Sequence, residues 1–227
     1  TYDPLHDHAI PQRYSASRQS GKSGCKKKLL QLVNLPDEER PLLGMVTRLV
    51  DQKGMDILTD ALPDILSLGV QLIILGSGDA MYHRLLADAA SHNRNTMRVL
   101  LQYDEGLAKI IYSGSDMFLM PSRYEPCGLG QMIALRYGAV PIVRRTGGLS
   151  DTVVAYRARA DLGTGFLFDE YSASALVDAI RRALKVFGNK AKWRHLMKAG
   201  MNEDFSWEHS AKEYVKLYQK VMKKQRV

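Results

Sequence analysis

The sequence predicts an α/β fold, with a parallel sheet carrying helices on both faces and a run of helices closing the C-terminal end. Three observations carry this. From about residue 42 onward, short apolar runs alternate with stretches of helical periodicity. The runs are continuously apolar, as strands buried on both faces require. Strands that alternate with helices argue for a parallel sheet.

The elements follow in order. Residues 1–24 are poor in strong apolar residues and finish in Ser-Gly-Lys-Ser-Gly, so they read as a linker or peripheral arm. A short amphipathic helix is expected over 26–33, with Leu29, Leu30 and Val33 on one face. Pro36 and Pro41 bracket a loop, which sets residues 1–40 apart from a domain spanning 41–227. Strands are expected at 42–47, 71–75, 98–101, 116–120, 140–143 and 165–168. Helices fill the gaps at 55–68, 81–90, 105–112, 131–137 and 149–155. Three more close the chain at about 172–187, 191–201 and 206–224. The last carries Trp207, Ala211, Tyr214, Val215, Tyr218 and Met222 at helical spacing, a stripe that reads as packing rather than a cofactor box.

Bulk properties narrow the classes. The 227 residues suffice for one large domain or a domain with appendages. No apolar run approaches the ~20 residues of a membrane-spanning helix, so no membrane partner is expected. The polar start, Thr1 to His8, has no signal-peptide core and no Met, so an upstream segment stays open. Two cysteines are too few for a disulfide framework, and a reducing compartment follows. The net charge of +8 is spread along the chain, with runs only at Lys26-Lys27-Lys28 and in the Lys223-Lys224-Gln225-Arg226 tail. No aromatic platform or helix-turn-helix pattern accompanies it, so no nucleic-acid partner is expected. A basic cleft for an anionic sugar nucleotide accounts for part of the charge.

Two strand-to-helix loops carry the chemistry. The first, Thr47 to Gly54, holds two cations, Arg48 and Lys53. The second, Pro121 to Gln131, holds the carboxylate Glu125 beside Gly128, Leu129 and Gly130, whose N–H groups open a helix and face an anion. Both lie at the carboxyl end of the sheet, where ligands of such folds bind. Arg supplies a fork for phosphate oxygens and Lys a compact charge. The bland alternatives are surface charge for the cations and a helix cap for Glu125. Gly76-Ser77-Gly78-Asp79 after the second strand lacks a third glycine, since residue 81 is Met81. It reads as a tight turn at the rim, with Asp79 as an N-cap and backbone contact to a nucleoside.

Other patterns carry less. Gly21-Lys22-Ser23 imitates the end of a P-loop, but the required first glycine falls on Ala16 and no strand precedes it, so it reads as linker. Asp3, His6, Asp7 and His8 lie in the terminal arm without rigid geometry, and no metal site is expected. His83, His92, His195 and His209 read as helix residues without partners, and Cys127 as a small packing residue.

Together, Arg48-Leu49-Val50-Asp51-Gln52-Lys53-Gly54, Glu125-Pro126-Cys127-Gly128-Leu129 and Val143 to Val153, with its Arg145-Thr146-Gly147-Gly148-Leu149 core, resemble the bacterial glycogen synthase and plant starch synthase family. Phe205-Ser206-Trp207 resembles its closing segment, and Asp3-Pro4-Leu5 through Tyr14-Ser15 the stretch leading into its second domain. Gln131 to Gly138 looks most like the branch holding starch synthases of the third and fourth classes. The resemblance implies the C-terminal, Rossmann-like half of a GT-B glycosyltransferase, whose N-terminal domain is a partner in cis. It implies retaining transfer of glucose from ADP-glucose to an α-1,4-glucan, without a further cofactor, in the cytoplasm of a bacterium or the plastid of a plant or alga. Arg48 and Lys53 would neutralise the ADP diphosphate, and Glu125 would bind the hydroxyls of the transferred glucose. Gly128, Leu129 and Gly130 would offer amides to the diphosphate, and Tyr103 would stack on adenine, a core aromatic being the alternative. Gly76, Gly78, Gly147 and Gly148 join the nucleotide-sugar-binding set. The sequence departs from relatives at Gly130, where many have Thr or Ile, and at Ile133, where related GT-B families place a second Glu. Competing readings are a non-catalytic nucleotide- or glucan-binding module and a GT-B transferase using UDP-glucose.

Overall fold

The computed structural model describes residues 2–224. Gln225 and Arg226 of the basic tail lie outside them. Six strands form one sheet: β1 (Leu42–Val46), β2 (Gln71–Leu75), β3 (Met97–Leu100), β4 (Met117–Met120), β5 (Val140–Arg144) and β6 (Phe166–Phe168). Their order is β3-β2-β1-β4-β5-β6, with every pairing parallel. The chain starts at the centre, builds outward to β3, then crosses to β4 on the other side of β1. This reversal leaves a crevice at the carboxyl ends of β1 and β4.

The strands alternate their side chains between two cores, as the pleat demands. Leu43 and Met45, Leu72 and Ile74, and Met117 and Leu119 face α2 (Met55–Ser67), α3 (Ala80–His92), α7 (Ala173–Phe187) and α8 (Lys190–Met201). Leu42, Ile73, Leu75 and Phe118 face α1 (Ser20–Leu32), α4 (Glu105–Gly114) and α5 (Gly130–Arg136). A short helix, α6 (Gly147–Thr152), covers a small third cluster around Val143 and Leu149. Helix α4 starts cleanly because the Asp104 carboxylate accepts the Leu107 N–H at 2.9 Å.

Two expectations need correcting. The N-terminal segment is not a loose arm. Tyr14 is fully buried, Ile10 and Asp7 nearly so, and α1 begins at Ser20 rather than Lys26. Its glycines misled because they read as linker. A side-chain carbon at Gly21 would lie 2.6 Å from the Arg13 carbonyl oxygen, so glycine here lets the incoming strap cross the helix. Lys22, in the same helix, is buried. Its ammonium donates to the carbonyls of Ser113 (3.1 Å) and Tyr137 (2.8 Å), in the last turn of α4 and at the C-terminal cap of α5. One cation thus satisfies two helix ends, where carbonyls otherwise lack partners.

The second correction concerns α9 (Trp207–Lys224). Its apolar stripe is not packed: Trp207, Tyr214, Val215, Tyr218 and Met222 are all exposed. Helical spacing reveals an amphipathic helix but not what covers it.

Candidate active site

The loops after β1 and β4 meet at the crevice. The β1 loop is first zipped to the β2 loop: Leu49 N–H donates to Ser77 O at 3.0 Å, and Asp79 N–H to Leu49 O at 2.9 Å. It then turns through Asp51–Lys53 and reverses at Gly54, which has a left-handed φ of 76°. The Tyr82 hydroxyl donates to the Asp51 carboxylate and steadies the turn. Lys53 is thereby aimed across the crevice. Its Nζ donates to Glu125 Oε2 at 2.5 Å, and the Ser122 hydroxyl donates to the same oxygen at 3.2 Å. The side chains of Lys53 and Glu125 are 17% and 7% exposed, so the pair is largely desolvated. Such a pair gains little net stability, yet removing one partner strands a buried charge. Glu125 Oε1 accepts no hydrogen bond from the described residues.

This geometry removes the helix-cap alternative for Glu125. Helix α5 is capped at Leu129 without a side-chain bond, and the carboxylate faces Lys53 instead. The amides of Gly128, Leu129 and Gly130 donate to no group among the described residues, which leaves three unpaired N–H groups on the loop. Gln131 shapes the turn from below, donating to the carbonyls of Cys127 (3.1 Å) and Gly128 (2.9 Å).

Arg48 is exposed, 3.2 Å from the Gln52 side-chain oxygen, and lines a cleft of about 370 Å³. Val46, Leu75, Gly76, Tyr103 and Ala108 line the same cleft. Tyr103 is 90% exposed at its mouth, so it is not a core aromatic. The cleft lies beside β1, β2 and β3, whereas the Lys53–Glu125 pair lies across the switch point, with Arg48 on the loop that joins the two.

The remaining predicted glycines support backbone. Gly76 and Gly78 donate their amides to Leu100 O (3.0 Å) and His83 Nε2 (3.0 Å). His83 therefore has a partner, contrary to the sequence reading. Asp79 occupies the N-cap position of α3 but makes no side-chain capping bond. Gly148 donates to Glu125 O at 3.0 Å, and a side-chain carbon there would lie 1.9 Å from the Cys127 carbonyl oxygen. Only glycine admits the Glu125 loop so close. Gly147, just before it, has a left-handed φ of 43°. Gly148 thus backs the carboxylate loop, whereas the Gly147 amide donates to no group among the described residues.

Sequence reasoning missed a group of residues beneath that loop. Arg123 pairs with Asp56 at 2.7 Å, and the Tyr171 hydroxyl donates to the other Asp56 oxygen at 2.5 Å. Burial pushes the Asp56 carboxyl up, but the bonds from Tyr171, the Ile57 amide and Arg123 outweigh it and hold it below its ordinary value. Burial, then the bond to Asp56, pushes the Tyr171 phenol up to about 12. The available signal was positional: Tyr171 follows β6 on the same edge as the other site loops.

With this geometry in place, comparisons give the family. The model for glycosyl transferases group 1 matches residues 27–195. The chain belongs to that family. It is 49% identical over 218 residues to a glycogen synthase of Anaeromyxobacter dehalogenans, covering 96% of this chain and 46% of that protein. It is 48% identical over 227 residues to a glycogen synthase of Thermosipho africanus, covering 99% and 47%. The chain spans about half the length of the relatives it matches. In structure it is similar to the catalytic domain of Starch Synthase IV from Arabidopsis thaliana bound to ADP and acarbose, with a TM-score of 0.89 and 36% identity, over 96% of this chain and 46% of that one. A sucrose-phosphate synthase from Thermosynechococcus elongatus matches at a TM-score of 0.65 and 27% identity, over 86% of this chain and 49% of that one. The six-stranded parallel sheet with its surrounding helices is thus a GT-B glycosyltransferase fold. No helix among the described residues is long and apolar enough to cross a membrane.

Proposed function

We propose that this chain is the C-terminal, nucleotide-sugar-binding half of a glycogen or starch synthase, transferring glucose from ADP-glucose to the end of an α-1,4-glucan with retention. One observation carries the reading. A desolvated Lys53–Glu125 pair sits at the switch point with a carboxylate oxygen left open, beside a cleft with an exposed tyrosine at its mouth.

Each part has a role under this reading. Adenine stacks on Tyr103, and the diphosphate runs past Arg48 toward Lys53 and the amides of Gly128 to Gly130. Breaking the glycosidic bond builds positive charge on the sugar and negative charge on the leaving phosphate. Arg48 and Lys53 stabilise the phosphate. A diphosphate arriving at Lys53 shares the ammonium with Glu125, whose open carboxylate oxygen receives the glucose hydroxyls. The N-terminal half of the full-length protein supplies the second wall of the cleft, and we assign it to the uncovered stripe of α9. Catalysis needs both walls, so this chain alone transfers little or no glucose. The bacterial relatives favour the cytoplasm over a plastid as the place of reaction. The solved neighbour bound to ADP favours ADP-glucose over UDP-glucose as donor.

Titration of the purified chain with ADP and with UDP tests the donor. Saturable binding of ADP with clearly weaker binding of UDP is expected. Equal affinity, or none for either, overturns the assignment.

A further inference from the structure

The carboxylate of Glu125 stays in place only if its loop does, and that loop is held from the neighbouring strand. Arg144 is the last residue of β5. Its Nε donates to the Ser122 carbonyl at 2.9 Å, and its Nη2 to the Arg123 carbonyl. A third, longer bond of 3.5 Å runs from Nη1 to Asp169 O. No carboxylate lies within ion-pair distance of Arg144 among the described residues, the nearby Asp169 side chain being taken by Arg145. The guanidinium is therefore committed to backbone carbonyls, two of them in the Glu125 loop.

The fork is itself held. The Tyr171 ring lies beside both guanidinium groups, with the Arg123 Cζ 4.4 Å and the Arg144 Cζ 5.4 Å from its centroid. Its hydroxyl binds Asp56, which binds Arg123. Segments at the carboxyl ends of β1, β4, β5 and β6 thus converge on one tyrosine. The relay to the carboxylate is short: Arg144 fixes the backbone of Ser122, which is 1% exposed, and the Ser122 hydroxyl donates to Glu125 Oε2.

We propose that Arg144 is a positioning residue, acting through Ser122 to hold Glu125 against Lys53 in the orientation that receives the sugar of the donor. The part concerning the sugar rests on the functional reading above; the part concerning the carboxylate does not. Lysine cannot replace Arg144, because a single ammonium lacks the planar fork that spans two successive carbonyls.

The test pairs a structure with a binding ratio, on this chain. In crystals of Arg144→Gln without ligand, the Lys53 Nζ and Glu125 carboxylate are expected beyond hydrogen-bond distance. By calorimetry, Arg144→Gln and Arg144→Lys are expected to weaken ADP-glucose binding about tenfold while changing ADP binding less than about twofold, because ADP lacks the glucose. Ser122→Ala cuts the relay at its last step without touching the fork. It should reproduce a smaller loss for ADP-glucose alone, and it serves if the Arg144 variants do not fold. An intact Lys53–Glu125 contact in Arg144→Gln overturns the proposal. So does an unchanged ADP-glucose to ADP ratio in Ser122→Ala or the Arg144 variants. A wild-type chain that does not distinguish ADP-glucose from ADP strikes the functional reading instead, and the crystallographic distance then decides the role of Arg144.

Discussion

Two lysines shielded from water lie at opposite ends of the sheet, Lys22 buried and Lys53 half-buried, and they are satisfied in different ways. Lys22 lies at the base, where α4 and α5 end, and its ammonium donates only to the carbonyls of Ser113 and Tyr137. Lys53 lies at the carboxyl end, paired with the Glu125 carboxylate. Carbonyls are fixed dipoles that belong to the fold, so Lys22 is committed. The Lys53 ammonium makes a single hydrogen bond among the described residues, to one carboxylate oxygen, so its other N–H groups are available to a ligand at the crevice. Burial alone does not mark a functional cation; a donor left over at the ligand-binding end of the sheet does.

The largest break in this comparison comes at Glu125. In the full-length protein, Glu125→Gln should lower turnover about a hundredfold or more, since a carboxylate bond that tightens in the transition state acts on rate. It should also lower the melting temperature, because Lys53 loses its counterion. ADP affinity should stay within about twofold. A variant that melts lower but turns over normally removes Glu125 from the catalytic set.

Lys53→Ala comes next. Loss of a charge-assisted phosphate contact should weaken ADP binding to this chain by roughly 10- to 150-fold. Lys22→Met, at the other end, should leave ADP binding unchanged. Calorimetry on both variants sharpens the contrast, and a similar loss in each would erase it.

The pH response separates the lysines further. Burial pushes the Lys22 ammonium down to about 8, well below its ordinary value. Between that value and the unfolded value near 10.4, the unfolded chain binds more protons than the folded one, so stability rises with pH. The cost of burying the charge is fully present below pH ~8 and is relieved above it. Wild type should therefore gain about 2 kcal/mol over Lys22→Met between pH 7 and about pH 9.5. The buried phenols of Tyr14, Tyr112 and Tyr137, all raised by burial, oppose this only above about pH 10. Denaturant titrations at the two pH values check it; a constant difference would show that Lys22 does not titrate in the window.

The smallest effect belongs to the cleft mouth. Tyr103→Ala removes an exposed ring and should weaken ADP about three- to tenfold without moving the melting temperature. Loss of stability instead would make Tyr103 a structural residue.

Much of this was legible in the sequence, for physical reasons. Doubly buried strands are nearly continuously apolar, so the inner strands appear as runs, and the half-exposed edge strand β3, which carries Arg98, falls within a residue of its expected bounds. Glu125 and Lys53 stood out because charged residues on strand-to-helix loops have few structural reasons to be there. What stayed hidden depends on partners distant in the chain. Tyr171 is a lone tyrosine until four segments of the chain meet on it, and Arg144 sits inside a motif noticed for its glycines. The strap was missed because its burial rests on a few anchors, chiefly Ile10 and Tyr14, too sparse for any periodicity.

The strap has a consequence for modularity. Composition changes near residue 40, and a boundary drawn there looks natural. It would remove Tyr14, whose hydroxyl donates to Tyr137 O at 2.8 Å, and Asp7, which accepts the Tyr137 hydroxyl at 2.5 Å, along with Lys22. The helices that open at the nucleotide cleft and at the Glu125 loop would lose the groups that close their far ends. A shuffled or excised module that is to keep its site must carry the chain from before Asp7, so the segment least like a domain sets where the domain can be cut.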